Sequence, residues 1–216
     1  RARLANGKLD ALDHQSADFA DAPVIQARVS KVDVMTADVT KYEFQSWDGA
    51  PLPAWTAGAH LDIVVTPGFL RQYSMSGNPA DRSTYQIGVL RDDEGRGGSK
   101  MLHRIFNEGR RVFISKPINH FELDETATKT FLLGGGIGIT PMIAFAHRLH
   151  AIGADFELHY AAKSRESAGY LDDLANMAWA DKIAYHISDE GTRADLDRVL
   201  AGYEPGWHVY TCGPDR

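Results

Sequence analysis

The chain has 216 residues, 44% of them hydrophobic, and a formal net charge of −6 at pH 7. This length suits one large domain or two small ones. No cluster of lysine and arginine is dense enough to indicate a nucleic-acid surface, and charged residues interrupt every apolar run before it reaches the length of a membrane span. The single cysteine, Cys212, excludes an internal disulfide and fits a reducing compartment. We therefore expect a cytoplasmic protein that binds neither nucleic acid nor membrane.

The first half of the chain has the pattern of antiparallel strands. Residues 1–22 are polar, and we expect a surface extension there. From residue 23 to about residue 123, short alternating segments separated by turn residues predict six strands. They are VIQARVSKVDVM, VTKYEFQSW, HLDIVVTP, LRQYSMSG, YQIGVLRD and RRVFISKP. Six short strands at this spacing indicate a small closed barrel or a sandwich, and one helical segment, GSKMLHRIFNEG, interrupts them.

The second half, from residue 124 to residue 216, alternates strands with helices. The strand segments are TFLLG, FELHYAA, KIAYHIS and HVYT, and the helical ones are PMIAFAHRLHAIG, SAGYLDDLANMAW and TRADLDRVLAG. This alternation predicts a Rossmann-like parallel sheet with crossover helices. The fold class we predict is thus β + α/β, a six-stranded antiparallel β-barrel followed by a parallel-sheet nucleotide domain.

The segment FLLGGGIGITPM places four glycines between a strand and a helix. Thr140 suits the N-cap of that helix and Pro141 its first position. Free N–H groups and the helix dipole at such a turn favour an anion such as a pyrophosphate, although tight packing alone also uses glycine. The terminal CGP turn, with Cys212, follows a later parallel strand. We expect both turns at the same edge of one sheet, where ligands of open α/β sheets bind.

A second motif, RQYSMSGNP, lies in the predicted barrel. Alternation along a strand puts Arg71 and Tyr73 on one face and Gln72 and Ser74 on the other. Arginine offers a fork for phosphate, tyrosine a surface for a flat aromatic ring, and serine a donor for a ring heteroatom. Residues 97–99 (Gly-Gly-Ser) precede the helix of this half and form a second candidate phosphate site. The two halves are therefore expected to bring two ligands together.

These motifs together resemble the ferredoxin–NADP reductase superfamily, and most closely its phthalate dioxygenase reductase branch, which includes vanillate demethylase reductases. The segments AGAHLDIVVTPGFLRQYSMSGNP, GRGGSKMLH, PINHFEL, GGGIGITP and CGP carry the resemblance, which extends over residues 24–216. It implies a flavin-binding barrel followed by a nicotinamide-nucleotide domain. It further implies FMN, with FAD as the alternative, and NADH, with NADPH as the alternative.

The resemblance also implies the site residues. Contacts with FMN are expected from Arg71, Gln72, Tyr73, Ser74, Gly88, Val89, Leu90, Gly97, Gly98, Ser99 and Thr140. Contacts with NAD(P)H are expected from Gly135, Gly136, Ile137, Gly138, Thr140, Ser164, Arg165, Cys212, Gly213, Pro214 and Asp215. Ser74, Thr140 and Cys212 are the expected catalytic residues, with Ser74 near the flavin N5. The chemistry belongs to flavin and nicotinamide, so no general acid or base and no metal ligand in this chain is expected.

Coenzyme choice depends on the segment KSRES after the second parallel strand. Ser164 and Arg165 have the chemistry to hold the 2′-phosphate of NADPH, whereas Glu166 and Asp189 are candidates for a ribose contact in NADH. Arg165 is equally well explained as a solvated loop charge. The branch mostly uses NADH, and we expect NADH here.

The function implied is that of a reductase component of an oxygenase system. A hydride passes from NADH to FMN, and single electrons pass through a [2Fe–2S] centre to a terminal oxygenase, expected to be of the Rieske type. The chain lacks the C-x₄-C-x₂-C…C cluster pattern. We therefore expect a C-terminally truncated chain whose ferredoxin domain lies beyond residue 216. The alternatives are an FAD-containing NADPH–ferredoxin or flavin reductase, and a non-catalytic nucleotide-binding subunit.

Overall fold

Six antiparallel strands form a nearly closed barrel in the computed structural model, which describes residues 3–5, 8–10, 24–66, 69–95 and 97–214. The two short strands β1 (Arg3–Ala5) and β2 (Lys8–Asp10) pair only with each other. The barrel strands are β3 (Val24–Val34), β4 (Val39–Ser46), β5 (His60–Thr66), β6 (Phe69–Ser74), β7 (Tyr85–Leu90) and β8 (Arg111–Ser115). Their order is β6-β5-β8-β3-β4-β7, and a bridge between Met75 and Ile87 joins the two ends. All six predicted strands are confirmed.

The barrel forms because alternate side chains along each strand are apolar and share one interior. Val29, Phe44, Ile63, Ile87 and Ile114 are completely buried. β-Branched and aromatic residues fit the pleated, half-buried surface of a strand, so local preference and burial favour the same structure. The helix α1 (Gly98–Ile105) covers one end of this core with Leu102, as the predicted helical segment required.

A four-stranded parallel sheet follows, with the order β11-β10-β9-β12. Its strands are β9 (Lys129–Gly135), β10 (Phe156–Ala162), β11 (Ile183–Ile187) and β12 (Trp207–Cys212), and its helices are α2 (Ile139–Ala151), α3 (Leu171–Ala175) and α4 (Leu196–Val199). The chain steps outward from β9 to β11 and then returns to place β12 on the other side of β9. That reversal creates the crevice at the carboxyl ends of β9 and β12 where such sheets bind ligands. No helix of the described residues is long and apolar enough to cross a membrane.

Two helices are much shorter than their sequence patterns predict. α4 has four residues, and none of its side chains is buried, so tertiary packing adds little to the low stability of an isolated turn. α3 has five residues and buries Leu174 alone. The remainder of its predicted segment folds into turns that bury Trp179 instead.

The start of α2 differs from the prediction at Thr140. Residues Gly136–Gly138 form a 3₁₀ turn that continues into α2, so Gly138 takes the N-cap position and the helix begins at Ile139. Thr140 lies within the first turn, where its hydroxyl donates to the carbonyl of Ile137 at 3.0 Å. The prediction that Thr140 is the N-cap and Pro141 the first helical residue is wrong, because the glycine turn already has helical curvature.

The two halves pack through one continuous apolar core and a few buried polar contacts. The hydroxyls of Ser76 and Tyr170 lie 3.0 Å apart. Tyr170 is the only non-glycine residue of the described chain with a positive φ, 69°. Lys41, almost fully buried, pairs with Asp173 and Asp33. Burial lowers the pKa of Lys41, but its hydrogen bonds and ion pairs with the two aspartates outweigh burial and leave the pKa raised.

The turn at Gly58 gives a stability prediction. Gly58 has φ +91°, and an added Cβ would overlap the carbonyl oxygen of Phe121 and lie 3.0 Å from Cε1 of Phe145. Gly49 has φ +80° but no atom within 4 Å of such a Cβ. We expect Gly49→Ala to lower the free energy of unfolding by about 1–2 kcal/mol for the left-handed backbone, and Gly58→Ala by about 1–3 kcal/mol more for overpacking. Urea unfolding of both variants checks this, and equal losses would contradict it.

Candidate functional site

Two backbone turns meet at the carboxyl edge of the parallel sheet. Cys212 of β12 lies opposite Gly134 of β9 in the parallel register. A Cβ at Gly138 would overlap the carbonyl group of Cys212, and a Cβ at Gly213 would lie 3.0 Å from Cα of Gly135. The prediction that the two turns share one edge is confirmed. The contact also shows that Gly138 is needed for packing, whatever else the turn binds.

The glycine turn leaves room for a ligand on its outer side. Gly136 has φ +53°, and no atom lies within 4 Å of an added Cβ there. The N-cap of α2 has no side-chain hydrogen bond, and its first turn holds no acidic residue. Of the first three residues of α2, Ile139 already donates its N–H to the carbonyl of Gly136, and Pro141 has no N–H. The N–H groups of the 3₁₀ turn that leads into α2 are therefore the candidates for binding an anionic group.

A cavity of about 260 Å³ joins the barrel to this edge of the sheet. Ser74, at the end of β6, and Cys212, at the end of β12, both line it, together with Gln72 and Pro141. The structure thus brings Ser74 and Cys212, two of the three expected catalytic residues, to one cavity. Thr140 is 4% exposed, and its methyl group lies 2.8 Å from a Cβ built at Gly88.

Four further residues line this cavity, and none of them has a role predicted from the sequence motifs. They are Gly58, His60, His120 and Phe121. His60 lies directly opposite Ser74, and Asp62 opposite Gln72, in the antiparallel pairing of β5 with β6. Pairing HLDIVVT with FLRQYS by their alternation would have placed His60 next to Ser74.

Asp62 is a buried carboxyl behind this cavity, only 1% exposed. Burial raises its pKa, partly offset by a hydrogen bond from Gln72 and by the nearby rings of His60 and His120. Burial lowers the pKa of His60. The two histidine rings lie 5.8 Å apart. The cavity is therefore polar on the barrel side.

A second anion-binding arrangement lies at the start of α1. The guanidinium of Arg71 lies against Gly98, where an added Cβ would be 2.9 Å from its Cζ, so a side chain at position 98 would push the guanidinium aside. Nη1 of Arg71 donates to the carbonyl of Leu70 at 2.6 Å. The N-cap residue Gly97 makes no side-chain hydrogen bond. The hydroxyl of Ser99 accepts from the N–H of Asp92 at 3.0 Å and keeps its own proton for a ligand. The guanidinium of Arg71 and the start of α1 are thus neighbours, with Nε and Nη2 of Arg71 remaining for an anionic group.

The remaining expected flavin contacts follow β6 and β7. Tyr73 is half-buried in β6, and burial raises the pKa of its phenol to about 12, so the ring is neutral at physiological pH. Gly88 and Val89 are buried in β7, whereas Leu90 is 42% exposed. The carbonyl of Val89 lies 3.1 Å from Nε2 of His103.

The loops after β10 and β11 hold the expected coenzyme-selecting residues. Nε of Arg165 donates to Oε1 of Glu190 at 2.6 Å, and its Nη2 donates to Oε2 at 3.1 Å. The hydroxyls of Ser164 and Ser167 lie 3.2 Å apart. Asp215 lies outside the described residues. Within the described residues, no group of three or more His, Cys, Asp or Glu side chains is arranged to hold a metal ion.

Comparisons with known proteins agree with this architecture. No protein-family model matches the chain. The reductase subunit of the tert-butanol monooxygenase / tert-amyl alcohol desaturase of Aquincola tertiaricarbonis is 44% identical over 88% of this chain and 57% of its own length. The vanillate O-demethylase oxidoreductase of Pseudomonas putida is 42% identical over 82% of this chain and 56% of its own.

The solved structure of phthalate dioxygenase reductase superposes with a TM-score of 0.83 and 35% identity, covering 88% of this chain and 60% of that one. The predicted resemblance is thereby confirmed. The chain belongs to the phthalate dioxygenase reductase branch of the ferredoxin–NADP reductase superfamily. It spans less than two thirds of the length of the relatives named here.

The half-buried thiol of Cys212 gives a pH-dependent prediction. Burial raises its pKa, so at pH 8 the thiolate, which is the nucleophile, is scarcer than in an exposed cysteine. We expect the native protein to react with Ellman's reagent several-fold more slowly than the same protein unfolded in urea, with the rate still rising above pH 9. Cys212 is the only cysteine in the sequence, so the colour reports one group. Equal rates in the two states would contradict the placement.

Proposed function

We propose that this chain is the flavin- and nicotinamide-binding part of an oxygenase reductase, with FMN and NADH as its ligands. The cavity that joins Ser74 to Cys212 is the observation that carries the proposal. It lies between a barrel with one anion-binding helix start and a sheet with another, so two phosphate-bearing ligands approach it from opposite sides. When bound, the flavin supplies the ability to take a hydride and release electrons singly.

The residues at the barrel fit the phosphate and ring of FMN. Arg71 and the N–H groups at the start of α1 would hold the phosphate, as charge-assisted hydrogen bonds and helix termini do elsewhere. Tyr73 would lie against the ring, and Ser74 would donate to a ring nitrogen. Two anionic phosphates are accommodated at separate helix starts, so each ligand has its own electrostatic anchor.

At the sheet, the glycine turn and the CGP turn would frame NADH. The N–H groups of the glycine turn that leads into α2, together with the helix dipole, would hold the pyrophosphate. Cys212 and Pro141 would border the nicotinamide, and the apolar and small groups of the cavity would limit water there. The chain's contribution is alignment, because holding two reactants in contact replaces a bimolecular encounter by a local one.

The wider role follows from the relatives. One of them is named as the reductase subunit of a monooxygenase and another as an O-demethylase oxidoreductase. Phthalate dioxygenase reductase is described as transferring electrons from pyridine nucleotides to [2Fe–2S]. We propose that electrons leave this chain for a [2Fe–2S] centre in a ferredoxin domain and then for a terminal oxygenase of the Rieske type, in the cytoplasm.

An anaerobic titration of the flavin-loaded protein with NADH and, separately, NADPH tests this function. We expect NADH to bleach the visible flavin absorbance at stoichiometric concentration. Extraction of FAD in place of FMN would favour the FAD-containing reductase. Absence of bleaching by either coenzyme, with flavin bound, would refute hydride transfer and favour a nucleotide-binding subunit.

The phosphate site gives a matched pair of variants. Arg71→Gln removes the guanidinium beside Gly98, and we expect about 10–100-fold weaker FMN binding, the loss typical of charge-assisted hydrogen bonds. Arg104→Gln is the control, because Arg104 is an exposed arginine in the last turn of the same helix. Fluorescence quenching on FMN titration measures both. Equal affinities in the two variants would remove Arg71 from the phosphate site.

A further inference from the structure

The loops after β10 and β11 meet beside the glycine turn. Ala161 pairs with Gly135, and Ala162 pairs with Ile187, so both loops begin at the carboxyl edge of the sheet. The N–H of Asp189 donates to the carbonyl of Lys163 at 3.1 Å and joins the loops. When a pyrophosphate lies at the first helix of a doubly wound sheet, the end of the next strand reads the adenosine ribose.

Arg165 follows the end of β10, and its planar fork suits a ribose 2′-phosphate because it offers two parallel N–H groups. In the structure that fork is already occupied. Both carboxylate oxygens of Glu190 accept from it, at 2.6 Å and 3.1 Å. A phosphate would have to displace the carboxylate or use the remaining Nη1 edge.

The charge of the surrounding loops also disfavours binding of a 2′-phosphate. The two loops, residues 163–170 and 188–195, carry one more negative charge than positive. Their cations are Lys163, Arg165 and Arg193, and their anions are Glu166, Asp189, Glu190 and Asp195. A 2′-phosphate would add up to two further negative charges. A ribose with a free 2′-hydroxyl adds none.

We propose that Glu190 is a specificity-determining residue, which occupies the guanidinium of Arg165 and thereby excludes the 2′-phosphate of NADPH while admitting NADH. The inference rests on the proposed nucleotide site. It identifies the residue that makes this site select NADH over NADPH, and we call this selection the coenzyme filter. The guanidinium of Arg165 is then paired with Glu190 and not available to a phosphate. The residue that decides coenzyme choice is Glu190, which lies after β11 and outside the KSRES segment.

Isothermal titration calorimetry with 5′-AMP and adenosine 2′,5′-bisphosphate tests this without flavin or hydride transfer. At one fixed ionic strength, we expect wild type to bind 5′-AMP at least as tightly as the bisphosphate. Glu190→Gln keeps the size of the side chain and removes its charge. We expect this variant to bind the bisphosphate about tenfold more tightly, because the freed guanidinium can form a charge-assisted hydrogen bond with the 2′-phosphate. Its affinity for 5′-AMP should not change.

Glu125→Gln is the matched control. Glu125 makes the same two-point pair with Arg148, at 2.6 Å and 2.7 Å, with similar exposure. It should change neither affinity. The double variant Arg165→Gln, Glu190→Gln should lose the gain.

The outcomes separate this inference from the proposed function. A ratio of affinities unchanged in Glu190→Gln, or a gain that persists without Arg165, overturns the filter while leaving NADH-dependent flavin reduction intact. Failure of the folded wild type to bind either nucleotide overturns the filter together with the site. Absence of flavin bleaching in a protein that binds 5′-AMP and responds to Glu190→Gln refutes only the proposed hydride transfer.

Discussion

The contact between two bare backbone turns organises this structure. Gly138 lies against the carbonyl of Cys212, and Gly213 against Gly135, with no side chain between them. That closeness fixes where α2 begins and delivers Cys212 to the cavity. Any residue with a Cβ at position 138 would separate the turns and shift each of these features together.

A second close approach relates the barrel to the sheet. Gly88 in β7 faces Tyr170 and Thr140, and a Cβ at this position would lie within 2.5–2.8 Å of their side chains. Strand β7 of the barrel can therefore pack directly against the first turn of α2. Lys41 and Asp173 form an ion pair across the same boundary. Much of its Coulomb energy offsets the cost of burying Lys41, so its main effect is on orientation.

The strands could be predicted because each carries its own alternation. In segments such as HLDIVVT and FLRQYS, the alternation of residues predicts which side chains point inward. It also predicts that Ser74 and Gln72 share a face. The lengths of α3 and α4 could not be predicted, since they depend on what tertiary packing covers each turn. Similarly, the start of α2 was misplaced because a Thr-Pro pair fits an N-cap locally, while the glycine turn before it already curves as a helix.

A contiguous motif identifies candidate residues from the sequence, whereas contacts between distant segments appear only in the structure. Arg71 and residues 97–99 are each candidates for a phosphate from their own segments, but the contact of Arg71 with Gly98 appears only in the structure. His60 and His120 reach the cavity only through strand pairing, and the pairing of Arg165 with Glu190 joins loops 25 residues apart. The spacing of residues along the sequence does not predict the contact of Arg165 with Glu190, because each of them alone resembles an ordinary surface charge.

Tyr170 has one more consequence. Its backbone holds an uncommon left-handed conformation, and its hydroxyl is fastened to Ser76 inside the boundary between barrel and sheet. Sliding one half over the other would break a buried hydrogen bond and press the ring against Gly88. The cleft is thus assembled during folding, and its conformational entropy is lost before a ligand arrives. We therefore expect the proposed coenzyme to bind without one half sliding over the other.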